Sequence, residues 1–357
     1  MKIKFFIIFI CSFLQGCYVL SQATHFNNLY NQRKPISEVI KNPDTASELR
    51  MNLLYVIKTM EFAAEAGLNT DGAYEYFIDT GKRPVSYLTQ AAYPLRLKFK
   101  TWWFPFVGEV PYLGFFNKED RDLMAVELKG KGYDVSNGQV GAFSSMGWFE
   151  DPLFSSMLNR NKSQLAHLLF HELTHRTFWS RGSVKFNENL AEYVGMVLTV
   201  QFLRKEGMEK SLLDYQNRIA DRKIYIEWLS KIRKDLKLLY KSAKSAKKQT
   251  VLERKSEIFK RFTGAEFPEF RSARYQRLRK KRWNNASILG ASLYSPDIDR
   301  FEKAFYCFKN KVDRANIGHF LKALEIHEDE SDTVFDALDR FCDEGAPSHT
   351  RIDENGG

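Results

Sequence analysis

His171, Glu172 and His175 form the pentapeptide HELTH, the stretch of this sequence with the most specific chemistry. In a helix, two histidines four residues apart lie on one face, so both imidazoles can bind one ion. Glu172 projects beside that face, where a carboxylate can take a proton from a water. Zinc is the metal that this pattern favours. Because the pattern also occurs by chance, a surface helix with an ion pair is the alternative.

A second acidic motif follows at a compatible distance. In FNENLAEYVG, Glu188 lies thirteen residues after His175, and Glu192 lies one helical turn further. A zinc hydrolase with two histidine ligands needs a third protein ligand, and the fourth position stays open for water. It also needs a carboxylate that orients a ligand histidine through its second ring nitrogen. We predict that Glu188, next to the inter-helix turn, is the third ligand of one Zn²⁺ ion, and that Glu192 is the orienting carboxylate.

Two further roles have candidates in the sequence. An oxyanion needs a protein donor, for which Tyr294 is the main candidate, beside Tyr193 and His167. An exopeptidase that removes N-terminal residues must bind a free α-ammonium with an unpaired carboxylate. Glu150 and Asp151 in GWFEDP are the candidates, on a segment whose aromatic residues could line a pocket. A simple turn at this Asp-Pro pair is the competing interpretation.

Periodicity predicts the helices that position these residues. One helix runs from Ser163 to about Trp179 and the next from about Asn187 to Phe202, with a turn at 181–183 between them. Further segments are predicted as helices over 36–66 ended by Gly67, short strands and turns over 101–116, a helix and a strand over 117–143, and long charged helices over about 205–282 that turn near Thr250. The fold class is therefore α+β, with helix dominant.

The N-terminus has the features of an exported, lipid-anchored protein. The stretch MKIKFFIIFICSFLQGC has two lysines and then an apolar run of about ten residues, too short to cross the ~30 Å hydrocarbon core of a membrane. Its end, Leu-Gln-Gly-Cys, resembles the bacterial lipobox, in which the cysteine carries the lipid. A simple secreted protein, with this cysteine incidental, is the alternative. Tyr18 after the cysteine favours the outer membrane in a Gram-negative host.

The predicted organisation follows from that anchor at Cys17. It comprises a signal peptide over 1–16, a tether over 17–35, one catalytic domain over 36–325, and a mobile acidic tail over 326–357. Without Cys11 and Cys17, the remaining cysteines are Cys307 and Cys342, which could pair in an oxidising compartment.

The chain carries a formal net charge of +10, and the surplus lies mainly between Arg204 and Arg282. A basic stretch can bind nucleic acid or an anionic membrane, but it is more often the solvated face of long helices. Aromatic residues for base stacking are sparser in this segment than in the chain as a whole. We therefore expect no nucleic-acid partner.

Several blocks of the sequence together resemble a family of bacterial lipoproteins described as predicted aminopeptidases, within the gluzincin-type zinc metallopeptidases. The blocks are the lipobox, FPFVGEVPYLGFF, GYDV…FSSMGWFEDPLFSSML, HLLFHELTHRTFW…FNENLAEYVG and WNNASILGASLY. The resemblance runs from about Leu49 to Leu324, which is most of the mature chain. The resemblance implies a gluzincin-like core with zinc held by His171, His175 and Glu188, and with Glu172 as the general base.

These features predict a zinc-dependent peptidase of the cell envelope that is anchored to the membrane by lipid and acts on peptides or proteins. Aminopeptidase activity is favoured by the resemblance. An envelope endopeptidase remains as an alternative from the residues alone. A non-enzymatic envelope adaptor is a further alternative, but an adaptor would be expected to have a damaged ligand set, and here the set is intact.

Overall fold

The computed structural model describes residues 29–81, 84, 86–104, 108–140, 151–243, 246–293 and 298–343. Several predicted features lie outside this part of the chain: the signal peptide, Cys17 and the tether up to residue 28, Glu150, Tyr294, and the tail from residue 344. Within the described part, helices predominate and three small sheets accompany them. This agrees with the predicted helix-dominant α+β class. No described helix combines the length and the apolar character that crossing a membrane requires.

The helices account for most of the described residues. Those with described bounds are α1 (Ile36–Lys41), α2 (Ser47–Glu65), α3 (Lys118–Gly130), α4 (Lys162–Thr177), α5 (Val184–Lys205), α6 (Glu209–Ser242), α7 (Lys248–Thr263), α8 (Ala273–Gln276), α9 (Asn285–Leu293), α10 (Ile298–Lys311), α11 (Ile317–Asp329) and α12 (Val334–Asp339). As predicted, α2 stops just before Gly67, whose φ of 83° is the left-handed conformation that favours glycine.

The strands are short and form three sheets. They are β1 (Lys34–Pro35), β2 (Ala73–Ile78), β3 (Ser86–Ala92), β4 (Trp102–Phe104), β5 (Gly108–Val110), β6 (Leu113–Phe115), β7 (Asp134–Val140) and β8 (Asp151–Phe154). Strand β2 pairs antiparallel with β1 and parallel with β8. Strand β3 lies between β6 and β7 in an antiparallel sheet, and β4 pairs with β5. The predicted short strands over 101–116 are confirmed.

The helices α4 and α5 lie at the centre of the main hydrophobic core. Helix α4 begins where the Asn161 side chain accepts a hydrogen bond from the Gln164 amide. Its buried apolar face carries Leu165, Leu169 and Leu173 at helical spacing. Each such leucine stabilises the fold by about 1.5–3 kcal/mol through burial. Hydrophobic packing therefore fixes this helix, and with it the direction of HELTH.

Helix α5 runs antiparallel to α4 and packs closely against it. A Cβ atom at Gly195 would lie 3.1 Å from Nδ1 of His167, so the two helix backbones approach where a larger residue would collide with this histidine. At the other end, Asn187 is buried and bonds the loop between the helices. Its side chain accepts from the Ser180 amide at 2.9 Å and donates to the Ser180 carbonyl at 2.7 Å. Both ends of the pair are thus held in register.

The long charged segment forms a helical hairpin, as predicted, but with different limits. Helix α6 ends at Ser242 and α7 begins at Lys248, so the connection precedes Thr250, which lies inside α7. Beyond Thr263 the chain is largely irregular, with only α8 and a 3₁₀ turn up to residue 280. This irregular segment is attached to α6 by the buried Asp221, whose two carboxylate oxygens accept from successive backbone amides at 271 and 272, each at 2.7 Å.

The predicted mobile tail begins at residue 326, whereas the described residues of this segment, as far as Asp343, are largely helical. Helix α11 packs into the main core through Phe320 and Leu324, and α12 with the 3₁₀ turn after it does so through Val334, Leu338 and Phe341. A disulfide joins Cys307 to Cys342, with 5.3 Å between their Cα atoms. The many acidic residues of this segment made its apolar helical pattern hard to recognise in the sequence.

Candidate metal centre

The antiparallel pair of α4 and α5 brings three potential ligand side chains to one point. The Nε2 atoms of His171 and His175 are 3.3 Å apart. One carboxylate oxygen of Glu188 lies 3.6 Å from Nε2 of His171, and the other lies 3.7 Å from Nε2 of His175. Two donors come from successive turns of one helix and the third from the start of the next.

These separations suit a small tetrahedral ion. Ligands at about 2.0–2.1 Å from a tetrahedral centre stand about 3.3–3.4 Å from one another, and two imidazoles with one carboxylate form a zinc ligand set. The spacing between the imidazole nitrogens has this value, and the carboxylate lies a few tenths of an ångström further out. The residues therefore fit a zinc ion, while zinc binding itself stays a prediction.

The protonation of the three groups is coupled. Burial lowers the pKa of His175 to about 4, and the charge of His171 acts in the same direction. Burial also opposes a charge on His171, but its contact with Glu188 and the nearby carboxylates outweigh burial and raise its pKa. For Glu188, burial is outweighed by the two imidazoles, so its pKa is lowered. A neutral His175 beside an ionised Glu188 is the protonation state that ligands require.

Glu172, the predicted general base, lies beside this group on α4. Burial raises its pKa above the usual value for a carboxyl group, and the negative charges of Glu188 and Asp151 add to this effect. Arg160 and His171 act in the opposite direction. A raised pKa makes a carboxylate a stronger proton acceptor, which suits a general base that works near neutral pH.

Glu192 lies behind His171, on the opposite side of the ring from Glu188. Its carboxylate is 3.9 Å from Nδ1 of His171 and 3.4 Å from Nε2 of His167, and it forms an ion pair with Arg222. Burial opposes its charge, but His167 and Arg222 outweigh burial and lower its pKa to about 2. The Tyr215 hydroxyl holds the other side of His167, 2.6 Å from Nδ1. Glu192 is thus a fixed carboxylate beside the second nitrogen of His171.

The remaining described site candidates, Asp151, Tyr193 and His167, each have contacts that occupy their polar group or bury their ring. Asp151 is buried and pairs with Arg176 at 2.8 Å, so it is not the unpaired carboxylate that recognition of an α-ammonium calls for. Tyr193 is buried in the main core, with its ring stacked on Phe301. His167 is held between Glu192 and Tyr215.

Several residues of this site had no assigned role in the sequence. Asn187 holds the turn before Glu188, and Arg222 neutralises Glu192 from a different helix. Tyr74 is buried and has a φ of 58°, which is a strained conformation for a bulky residue. Burial raises the pKa of its hydroxyl, and the charges of Glu172 and Asp151 add to this effect. Only Asn187 had a sequence signal, as an amide residue directly before the glutamate and at a helix start.

Comparison with known proteins gives one result at the level of the family. No curated protein and no solved structure matches the chain. The family model with the description "Putative aminopeptidase" matches residues 17–330, which is most of the chain and includes the whole α4–α5 site. A family of peptidases implies peptide substrates. The chain therefore belongs to the family described as "Putative aminopeptidase".

Proposed function

We propose that this protein is a zinc-dependent peptidase of the gluzincin type, held at the cell envelope by a lipid on Cys17, and that it removes residues from the N-terminus of peptides. The observation that carries the zinc proposal is the convergence of the imidazoles of His171 and His175 with the carboxylate of Glu188. Two histidines and one glutamate leave a fourth position for water or substrate in a catalytic zinc site.

The protein residues have separate tasks in this proposal. A bound zinc ion supplies Lewis acidity, which brings the pKa of a water towards neutrality and polarises a carbonyl. Glu172 accepts the proton of the attacking water and passes it to the leaving amine. Glu192, fixed by Arg222, lies 3.9 Å from Nδ1 of His171, so its negative charge favours the proton on Nδ1 and leaves Nε2 as the ligand atom.

The family description supports an aminopeptidase, and one observation favours a second candidate, an endopeptidase of the envelope. Asp151 is already paired with Arg176, so it offers no free charge to an α-ammonium. Peptides with free and with acetylated N-termini separate the two activities. An aminopeptidase cleaves only the free peptides, from their first residue, whereas an endopeptidase cleaves both kinds at internal bonds.

Envelope localisation is supported by the disulfide between Cys307 and Cys342, because disulfides persist in oxidising compartments outside the cytosol. For the anchor, we expect Cys17→Ser to turn a detergent-extracted lipoprotein into a soluble or an uncleaved form. A Cys17→Ser protein that still partitions into membranes with an unchanged mature N-terminus would show that this cysteine is not the anchor.

The zinc mechanism is tested by metal content and peptide hydrolysis measured on the same samples. We expect about one zinc per purified chain, lost in both His171→Ala and His175→Ala. Glu172→Gln keeps its zinc and loses most activity, because only the base is removed. The matched control is Glu227→Gln, which replaces an exposed carboxylate on α6 and should keep both zinc and activity. Full zinc in either histidine variant would remove that histidine from the ligand set, and an active Glu172→Gln would exclude this base.

A further inference from the structure

A cavity of about 210 Å³ lies next to the candidate metal centre, between α4, α5 and α6. His167 and Leu168 of α4 and Glu192 of α5 line one side. The remainder is lined mainly by charged residues from α6 and from outside the helix pair, among them Arg160, Arg218, Arg222 and Arg274. Glu192, which lies beside Nδ1 of His171, also lines this cavity. The cavity itself has no role in the mechanism above.

The cavity is strongly cationic. Four arginines line it, and Glu192, the one carboxylate among its lining residues, already pairs with Arg222. Burial, followed by the charge of Arg274, lowers the pKa of both Arg160 and Arg218. These side chains thus repel one another in a partly desolvated space. A concentration of like charges there is costly unless an anion compensates it.

Arg218 gives the most direct sign of an anion site. Its Nε and Nη1 atoms are buried, and neither has a hydrogen-bond partner among the described residues. Buried guanidinium N–H groups are normally hydrogen bonded, and the fixed fork of arginine matches a carboxylate with two parallel bonds. The irregular segment that carries Arg274 is held on α6 by the buried Asp221, so this side of the cavity is fixed as well.

The cavity is within reach of a peptide bound at the metal centre. His167 and Leu168 lie about one helical turn before HELTH on α4, and Gln164 lies about two turns before it. At 1.5 Å per residue, these positions are roughly 4.5–10.5 Å along the helix from His171. An extended peptide covers about 3.3–3.6 Å per residue, so two or three residues span this distance.

We propose that this cavity binds a carboxylate of the substrate, two or three residues from the scissile bond, and that Arg218 and Arg274 are its main ligands. The inference rests on the proposed peptidase function and names the substrate class. The carboxylate can be an acidic side chain or the free C-terminus of a short peptide. Both sources present the same planar anion to the arginines.

Binding to the zinc-loaded Glu172→Gln protein tests this without turnover. One pair of amidated peptides differs only by Glu or Gln at the third position, and a second pair of tripeptides, free of acidic side chains, differs only by a C-terminal acid or amide. We expect the charged member of at least one pair to bind tenfold or more tightly. The first pair reports a side chain and the second a C-terminus. Equal binding within both pairs would overturn the proposal.

Substitutions of the cavity arginines test whether the preference for charged peptides arises in this cavity. Arg218→Gln and Arg274→Gln, each added to Glu172→Gln, should abolish the charge preference, whereas Arg254→Gln, an exposed arginine on α7, should keep it. Zinc content and the free energy of unfolding are measured on each variant, so that loss of fold is recognised. A charge preference that survives both cavity variants would refute this assignment.

A small probe separates the anion site from the peptidase. Glutarate should bind the zinc-loaded protein with at least tenfold preference over its neutral diamide, and this preference should disappear in Arg218→Gln but not in Arg254→Gln. If glutarate binds in this way and no peptide is hydrolysed, the anion site stands and the peptidase function fails. If peptides are hydrolysed and glutarate shows no such preference, the peptidase stands and the anion site is refuted.

Discussion

Two groups of histidine and glutamate side chains share His171 and differ in the charges that surround them. The first consists of His171, His175 and Glu188, and the second of His167, His171 and Glu192. Both bring one potential ligand atom per residue within 4.8 Å of the others. By residue type and distance alone, either group could hold a metal ion.

Compensating charge separates the two groups. In the second, Arg222 already neutralises Glu192, and the Tyr215 hydroxyl occupies Nδ1 of His167. In the first, the ion pairs of Glu188 among the described residues are with the imidazoles of His171 and His175, and none is with a lysine or arginine. A metal ion would therefore compete with an arginine for Glu192, whereas at Glu188 it would compete only with protons on the two histidines. Ligand residues at ligand distance therefore indicate a site only when their charge is not already balanced.

The strongest test of this comparison is Glu188→Gln. We expect the variant to lose stoichiometric zinc and, with it, all measurable peptidase activity, because a neutral amide replaces the only anionic ligand. Metal analysis after dialysis against a weak chelator measures the loss. Zinc retained at one equivalent would mean that the carboxylate ligand is another residue.

Glu192→Gln should have a smaller effect. A carboxylate behind a ligand histidine orients the ring, and its loss typically costs about 10–100-fold in metal affinity or activity. We expect zinc to remain at saturating metal, with reduced turnover. The opposite pattern, with zinc lost from the Glu192 variant and kept by the Glu188 variant, would show that the two carboxylates have exchanged roles.

The sequence contained what the helix pair needs. The spacing of HELTH and of the Asn-Glu pair, the Arg-Gly-Ser turn and the apolar periodicity predicted two helices close to the observed bounds of α4 and α5. These signals are local, because the hydrophobic period and the turn residues lie within one stretch of about forty residues. In the structure, Glu188 lies near Nε2 of His171 and Glu192 near Nδ1. Their roles as zinc ligand and orienting carboxylate stay predictions.

The residues that distinguish the two groups could not be found in this way. Arg222 is thirty positions from Glu192, on a helix whose many basic residues look alike in the sequence. Which basic residue of α6 faces Glu192 depends on how α6 packs against α5. The hydrophobic periodicity within α6 does not determine this packing. Likewise, Asp151 reads as a free loop carboxylate until α4 brings Arg176 beside it.

Arg222→Gln tests the charge balance of the second group. Without Arg222, the buried carboxylate of Glu192 keeps His167 but loses one charged partner, and we expect about 1–3 kcal/mol less stability at pH 7. The pKa of Glu192 is lowered to about 2, so its favourable charge interactions, among them that with Arg222, are fully present above about pH 4.5 and are lost as pH falls towards 2. The stability difference between wild type and variant should therefore shrink over that window.

Urea unfolding of the metal-free proteins at pH 7 and at pH 2.5 measures this difference without interference from zinc. The matched control is Arg254→Gln, which removes an exposed arginine and should change stability equally little at both pH values. A difference for Arg222→Gln that is the same at pH 7 and pH 2.5 would show that the arginine contributes by packing and not through the charge of Glu192.

The smallest expected effect is that of Tyr215→Phe, which removes a single hydroxyl from the second group. The hydroxyl lies 2.6 Å from Nδ1 of His167, and its loss leaves that buried nitrogen without its partner. Such a loss costs about 1 kcal/mol of stability. Tyr225→Phe on the same helix is the control, since no hydrogen bond of its hydroxyl is among those described. If His167 only supports Glu192 and does not bind the ion, Tyr215→Phe lowers the stability of the fold. Its zinc affinity then stays within about twofold of wild type. A tenfold loss of zinc affinity in Tyr215→Phe would instead make His167 and Glu192 part of the metal site and remove the distinction between the two groups.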